Sequence, residues 1–218
     1  MNQCSESAII GQVVTQKTFA MPVIIEYAAV LKELTGHGMV CNYPNGGSFG
    51  FPQNCTRCFR GWIGPPDWTI KRDMRRNTRQ IVPPYEANLA ELVHRAWLAL
   101  FPGNLWIMPA SHWSFELHHG SGDWLPGLIT SLSLDATALA ARTDGSAIQF
   151  SPEESDRFKT FAESLLKQLH SSDFCIAFPG HPAVCTLHHH QQIWWITRDP
   201  ALLTRLDALA KLGDIPCE

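Results

Sequence analysis

Hydrophobic residues recur at helical spacing in four parts of the chain. Residues three or four positions apart share one side of a helix, so this spacing predicts helices that each have one apolar face. The four predicted helices cover about residues 18–35, 85–101, 151–170 and 200–213. The third has the clearest start, because Ser151, Pro152 and Glu154 form a capping-box sequence with proline in the first turn. Shorter helices are predicted near residues 123–132 and 135–142.

Alternating or continuous apolar runs predict the strands. These runs cover residues 105–119, 146–150, 174–178 and 183–197. The last run would extend about 50 Å as one strand, which is too long, so it must break near residues 189–192. No Gly, Asn or Asp stands at that break, so a wider loop or a bulge is predicted there. Helices and strands alternate irregularly, which predicts the α+β class: a mixed or antiparallel sheet with several helices packed on it.

The N-terminal third lacks a clear period between residues 41 and 68. This stretch is rich in Gly, Pro and Asn, which favour turns, so a long irregular loop with at most short strands is predicted. Loops of this length are usually functional or held by an additional interaction. We expect a single domain over residues 1–218, with a helix and the Cys-rich loop in 1–80 and the α+β core in 84–218.

The composition is that of an ordinary globular protein, with 45% hydrophobic and 17% charged residues among 218. The net charge of -3 gives no overall reason to bind nucleic acid or an anionic membrane. No stretch approaches the ~20 apolar residues of a membrane helix, and the first residues lack a signal-peptide pattern, so we expect a cytoplasmic protein. Seven cysteines, an odd number, predict reduced thiols or a metal site rather than a disulfide framework.

The irregular loop carries a candidate zinc site. Cys55 and Cys58 form a C-x2-C pair, a spacing that lets two thiolates bind one zinc ion. His37 and Cys41 lie upstream, so the four residues together predict a Cys3His site. A metal would hold a loop that has few apolar residues of its own. The alternative is that Cys41 is a buried strand residue and that Cys55 and Cys58 are free thiols.

A basic segment at residues 71–79 follows two tryptophans. Basic side chains beside aromatic rings can contact phosphates and stack on bases. The candidate binding residues are Trp62, Trp68, Arg72, Arg75, Arg76 and Arg79. One alternative is a docking surface for an acidic protein partner, which is as plausible for this segment as nucleic acid, since the negative net charge does not favour nucleic acid. The other is a solvated face balanced by acidic groups elsewhere in the chain.

The predicted strand that ends at residue 119 carries a possible acid–base pair. Its alternating pattern places Glu116 and His118 on one face. If this strand neighbours the one that runs into the triple histidine, His188 meets both of them. A carboxylate and two imidazoles can exchange protons with a substrate or bind a metal. The alternative is an ordinary wet strand face, on which His and Glu are common.

The triple histidine itself is expected to be split. Neighbours in a strand point to opposite faces, so His188 is predicted in the strand and His189 and His190 at the bend, without forming one ligand cluster.

Two functions follow from these patterns. The first is a binding protein that interacts with a protein partner through a basic, Trp-containing surface braced by structural zinc. Eight tryptophans support it, because Trp is enriched at binding hot spots. The second is a metal- or His/Glu-dependent enzyme of the hydrolase type, with Glu116, His118 and His188 as catalytic residues. The chain has no P-loop, no Rossmann glycine motif and no H-E-x-x-H sequence.

Overall fold

The computed structural model describes residues 21–64, 78–80 and 88–211. Within these residues the strands are β1 (Val23–Ile25), β2 (Val40–Cys41), β3 (Phe49–Gly50), β4 (Phe59–Ile63), β5 (Thr78–Gln80), β6 (Leu105–Pro109), β7 (Ala147–Phe150), β8 (Phe174–Ala177), β9 (Ala183–His188) and β10 (Gln192–Thr197). The helices are α1 (Tyr27–Gly36), α2 (Leu89–Leu100), α3 (Trp113–Phe115), α4 (Trp124–Ser131), α5 (Ala136–Ala140), α6 (Ser155–Gln168) and α7 (Pro200–Lys211). A π-helical turn (Glu116–Gly120) continues α3, and a 3-10 turn (Pro152–Glu154) precedes α6.

The main sheet has eight strands in the order β1-β7-β6-β8-β9-β10-β4-β5. Neighbouring strands are antiparallel except β4 and β5, which are parallel. Strands β2 and β3 form a separate antiparallel pair. The predicted α+β class with a mixed or antiparallel sheet is therefore confirmed. Among the described helices, none has the length and apolar character needed to cross a membrane.

One face of the sheet is covered by α2, α4, α5, α6 and α7. Alternate strand residues point into this layer, as the two-residue period of a strand requires, and they include Ile107, Ile176 and Leu187, all fully buried. Phe158 of α6 packs edge-on against Trp97 of α2, with ring centroids 5.4 Å apart. Burial of large apolar side chains on this scale is the main source of folding free energy.

The other face of the sheet has a smaller cover, made by α1 and the β2–β3 region. Val30 and Leu34 of α1 are fully buried against the intervening strand residues, among them Met108 and Val184. This cover reaches only part of the face. Beyond it, the face continues over β9, β10 and β4 with side chains that are partly exposed.

Local sequence signals explain where the main helices begin. Asn88 caps α2 by accepting the Glu91 backbone N–H at 3.1 Å, and Asp135 caps α5 in the same way. Before α6, Glu154 accepts the Ser151 backbone N–H at 2.9 Å, which is the glutamate half of the predicted capping box.

Two predicted elements are corrected by the structure. Residues 23–25, predicted inside a helix, form strand β1 paired with β7, because the β-branched run Val-Ile-Ile finds a partner at the sheet edge. The strand predicted over 105–119 ends at Pro109, and residues 113–120 are helical. His112 caps this helix, since its Nδ1 accepts the Phe115 backbone N–H at 3.1 Å, and local capping prevails over the alternating pattern.

Candidate metal centre and adjoining groove

Strands β9 and β10 form a hairpin whose turn consists of His189, His190 and Gln191. The ladder pairs His188 with Gln192, and Gln191 has φ 56°, in the left-handed region. A three-residue loop that ends in a left-handed residue is a common hairpin connection. The predicted wider loop or bulge is therefore confirmed, and the chain reverses within three residues.

This reversal brings three consecutive imidazoles together. The ring centroids of His188 and His189 are 4.3 Å apart, those of His188 and His190 are 4.9 Å apart, and those of His189 and His190 are 4.2 Å apart. One ligand atom from each ring lies within 4.8 Å of the other two. Among the described residues, this is the group of three or more His, Cys, Asp or Glu side chains that meets this distance. The predicted placement of His188 in the strand and of His189 and His190 at the bend is confirmed. The inference that the three do not form one cluster was wrong, because the bend turns the two loop rings back toward His188.

Asp173 orients the histidine group from the neighbouring strand. It precedes β8, whose Phe174 pairs with Leu187 of β9, so it reaches the end of the hairpin. Its Oδ1 accepts the His189 backbone N–H at 3.1 Å and lies 2.9 Å from His189 Nδ1. An ionised carboxylate only accepts, so Nδ1 carries the proton and the lone pair is on Nε2. Metal-binding histidines are typically oriented by a carboxylate in this way.

His188 is held differently. Its Nδ1 accepts the His190 backbone N–H at 3.2 Å, so the neutral ring carries its proton on Nε2, which lies 3.8 Å from Asp173 Oδ2. To bind a metal through Nε2, His188 must lose or move that proton. Nitrogen ligands of a tetrahedral zinc stand about 3.4 Å apart, so the rings must also turn inward to close on an ion. The arrangement is three imidazoles that could hold a metal ion after a small rotation of the rings.

A groove of about 350 Å³ lies on the sheet face beside the histidine group. It shares His188 with that group, and Asp173, which contacts His189, also lines it. Its other polar lining residues are Asn42, Ser48, Arg60 and Thr186, and its walls include Phe49, Trp194 and Ile196. The groove therefore joins a candidate metal centre to a pocket with both polar and apolar surfaces.

The position of Trp194 is fixed by two contacts. Its ring centroid lies 6.2 Å from that of Trp62, with the planes inclined by 32°, and its Nε1 donates to Gln192 Oε1 at 3.0 Å. Trp62, a predicted binding residue, is only 3% exposed. Trp194 is thus a groove-lining residue whose ring is held by its neighbours.

Two of the predicted catalytic residues lie in the helical turn rather than on a strand. Glu116 is 2% exposed, and it accepts hydrogen bonds from Ser111 Oγ at 2.6 Å and Ser121 Oγ at 2.9 Å. His118 Nδ1 lies 2.7 Å from the Ser114 carbonyl oxygen. The shared strand face that was to join them to His188 does not form. Glu116 therefore holds its own turn together, whereas His188 belongs to the histidine group.

The predicted zinc ligands are engaged in other ways. Cys55 and Cys58 form a disulfide, contrary to the expectation of reduced thiols. The Cys41 thiol lies 2.8 Å from the Tyr43 carbonyl oxygen, and His37 Nε2 lies 3.1 Å from Glu33 Oε1. With the disulfide formed, the Cys3His set has no pair of thiolates to offer. Zinc binding by these four residues concerns the reduced chain and stays a prediction.

The two cysteines buried in the sheet are poor nucleophiles. Burial raises the pKa of the Cys175 thiol to about 11 and also raises the pKa of Cys185. A reactive cysteine needs a thiolate near neutral pH, so neither residue is a candidate for catalysis.

The basic segment lies largely outside the described residues. Trp68, Arg72, Arg75 and Arg76 fall there, and Arg79 is described only as a backbone partner of Gly61 in β5. The basic, Trp-containing binding surface stays a prediction.

Sequence reasoning missed Asp173 and Ser48. No local pattern marks Asp173, because it reaches the histidines only through the pairing of β8 with β9. Gly46 to Gly50 match the pattern G-x-S-x-G around Ser48. In hydrolases that pattern is a turn from a strand into a helix, whereas here it lies between strands β2 and β3. The nucleophile context is therefore not met, and Ser48 is a groove-lining residue.

A larger depression of about 740 Å³ lies elsewhere, between the turn after α3 and helix α6. Its lining includes Ser121, Trp124, Glu163, Lys167 and His170. Its charges have both signs, and it shares no residue with the histidine group, so the candidate site is placed at the hairpin.

Comparison of the chain with protein-family models, with curated proteins and with solved structures found no match. Function must therefore be inferred from the chemistry of the hairpin site.

Proposed function

We propose that this chain is a metal-binding protein whose residues His188, His189 and His190 hold one divalent transition-metal ion. The observation that carries the proposal is the approach of three imidazole ligand atoms to within 4.8 Å, with Asp173 orienting His189. Imidazole nitrogens suit zinc, copper and nickel. Zinc is the metal proposed, because a three-nitrogen site with one open position is a known zinc arrangement.

The proposed role of the metal is to hold a ligand. Three protein ligands leave a coordination position open, and the groove supplies a surface next to it. This keeps the binding function predicted from the sequence but moves its centre from the Cys-rich loop to the hairpin.

The test is zinc titration by isothermal calorimetry on protein without a histidine tag. We expect one site per chain, weakened at least tenfold in His189→Ala and about 10–100-fold in Asp173→Asn, since carboxylates behind a histidine ligand contribute that much. His118→Ala is the matched control, because this exposed histidine lies outside the group. Binding should also weaken from about pH 7.5 to about pH 5.5, because protons compete for imidazole. Zinc binding that is unchanged in His189→Ala and His190→Ala would refute the proposal.

A metal-dependent hydrolase is the second candidate. The open position beside a groove favours it, because a zinc-bound water in such a position becomes a nucleophile near neutral pH. Hydrolysis of p-nitrophenyl acetate by the zinc-loaded protein, lost in His189→Ala and kept in His118→Ala, would support it. Equal rates with and without zinc would count against it.

Interaction of the basic segment 71–79 with an acidic protein partner is a separate proposal. It rests on the cluster of arginines in the sequence. Replacing Arg75 and Arg76 by serine should weaken partner binding most at low salt, since exposed charges are screened by salt. Partner binding that is insensitive to both changes would exclude this surface.

A further inference from the structure

The geometry points to the groove as the binding site of a small carboxylic acid with a flat apolar body. Its carboxylate would occupy the open position of the metal at His188, His189 and His190. This inference rests on the proposed function, because it requires the metal.

The groove adjoins the histidine group. His188 belongs both to the histidine group and to the groove wall, and Asp173 of the groove wall contacts His189, so a ligand in the groove lies next to the proposed metal position. Cross-strand pairing continues the same sheet face from His188 to Thr186 and Trp194, since Trp194 lies opposite Thr186 in the ladder. The metal and the aromatic wall are thus two ends of one surface.

The groove would be positively charged with the proposed metal bound. Asp173 is the acidic residue of the lining, and its carboxylate is already bound to His189. Arg60 adds one positive charge, and a divalent metal adds two more, so the loaded groove is positive and favours an anion. A single arginine beside one metal suits a carboxylate rather than a polyphosphate.

The groove contains polar side chains whose present hydrogen bonds are long. Asn42 Nδ2 and Ser48 Oγ are 3.4 Å apart, which is a weak mutual bond, and Thr186 Oγ1 is 3.7 Å from the Cys175 sulfur. These three polar groups can exchange such weak contacts for stronger ones to an oxygen-rich ligand.

The groove has aromatic residues in its walls. Trp194 and Phe49 give the groove aromatic walls, and Trp194 is held in place by Trp62 and Gln192. A flat aromatic ring gains most from such a wall. The volume of about 350 Å³ is near the lower end of small-molecule sites, so an acid of one or two rings fits.

The experiment uses benzoate as the probe and benzamide as its neutral counterpart. Both are titrated by calorimetry into the full chain with and without zinc. We expect benzoate to bind the zinc-loaded protein at least tenfold more tightly than the metal-free protein, and benzamide to bind at least tenfold more weakly than benzoate.

A groove-filling variant, Ile196→Phe, separates the groove from the metal. Ile196 lines the groove and is not a member of the histidine group, so zinc binding should stay while benzoate binding falls at least tenfold. Leu98→Phe is the matched control, because Leu98 is 48% exposed on helix α2. A cooperative urea unfolding transition, measured beside that of the unchanged chain, shows that the variant folds.

The outcomes of the two titrations are distinct. If zinc binds but benzoate does not, or binds Ile196→Phe equally well, the groove inference is wrong and the metal proposal stands. If zinc itself does not bind, both are wrong. Benzoate binding that is equal with and without zinc also overturns the inference.

Discussion

The two faces of the main sheet differ in how completely they are covered. On the face covered by α2, α4, α5, α6 and α7, strand side chains are apolar and almost wholly buried. On the other face, a ten-residue helix and two strands of two residues each cover only part of the surface, and the groove occupies the rest. The same strands therefore pack fully against helices on one face and leave a groove beside a smaller core on the other.

Strand β9 shows this division residue by residue. Cys185 and Leu187 are fully buried toward the helices, whereas Thr186 and His188 line the groove. Because strand side chains alternate, β9 presents apolar side chains to the helix layer and polar side chains to the groove.

The strongest test of this comparison is a pair of core truncations. Phe158→Ala on the helix-covered face should lower the free energy of unfolding by about 3–5 kcal/mol, because a fully buried ring between Trp97 and Phe150 leaves a large cavity. Met108→Ala on the other face should cost about 2–3 kcal/mol, since the irregular cover can move into a smaller space. Urea unfolding measures both changes.

Phe115→Ala serves as the control for these truncations, because Phe115 is 44% exposed. Its effect should stay within about 0.5 kcal/mol. If Met108→Ala costs as much as Phe158→Ala, the two faces are packed with equal rigidity and the comparison fails.

A smaller effect of opposite sign is expected at His94 in α2. Both ring nitrogens are buried and have no hydrogen-bond partner among the residues that the structure describes. His94→Leu removes these unsatisfied groups and should raise the free energy of unfolding by about 1 kcal/mol. Thermal and urea unfolding check this result, with the exposed His119→Leu as control. A loss of stability in His94→Leu would show that the imidazole is not a defect of the helix layer.

The smallest predicted effect concerns the tie between α1 and the sheet. Glu33 accepts the Gly180 backbone N–H at 2.7 Å, and this bond, followed by that to His37, lowers the pKa of Glu33 below its ordinary 4.5. A lowered pKa stabilises the fold above the unfolded value, and this contribution is lost as the pH falls through the folded pKa.

Glu33→Gln should therefore lower stability at pH 7 by less than about 1 kcal/mol, because the site is largely exposed and screened. The difference should shrink as the pH drops below about 4.5 and vanish once Glu33 is protonated. Urea midpoints at several pH values measure it. A difference that persists undiminished under acid conditions would mean that the charge of Glu33 is not its cause.

Local signals were enough to predict much of the fold. The start of α6 follows from Ser151, Pro152 and Glu154, and the hairpin break follows from strand length, since both depend on neighbouring residues. The alternating run at 111–119 failed because a capping bond at His112 outweighed the strand pattern. Over these residues the alternating pattern predicts a strand and the capping residue favours a helix. Only the packing of the folded chain decides between the two.

The candidate site was less predictable for a different reason. His188 was identified, but the convergence of all three rings depends on the left-handed Gln191, which no glycine in the sequence signals. The role of Asp173 depends on β8 pairing with β9, and the groove on β2 and β3 lying against the sheet. Such long-range contacts leave no trace in local patterns.

Because the three histidines are consecutive, the unfolded chain keeps them within reach of one metal ion. A metal that binds the folded and unfolded chains with similar affinity stabilises the fold little, since only the difference in affinity counts. That difference comes here from Asp173, which stands sixteen positions before His189 and reaches it only in the folded sheet. For the proposed metal centre, capture of the ion is therefore coupled to folding mainly through this one carboxylate.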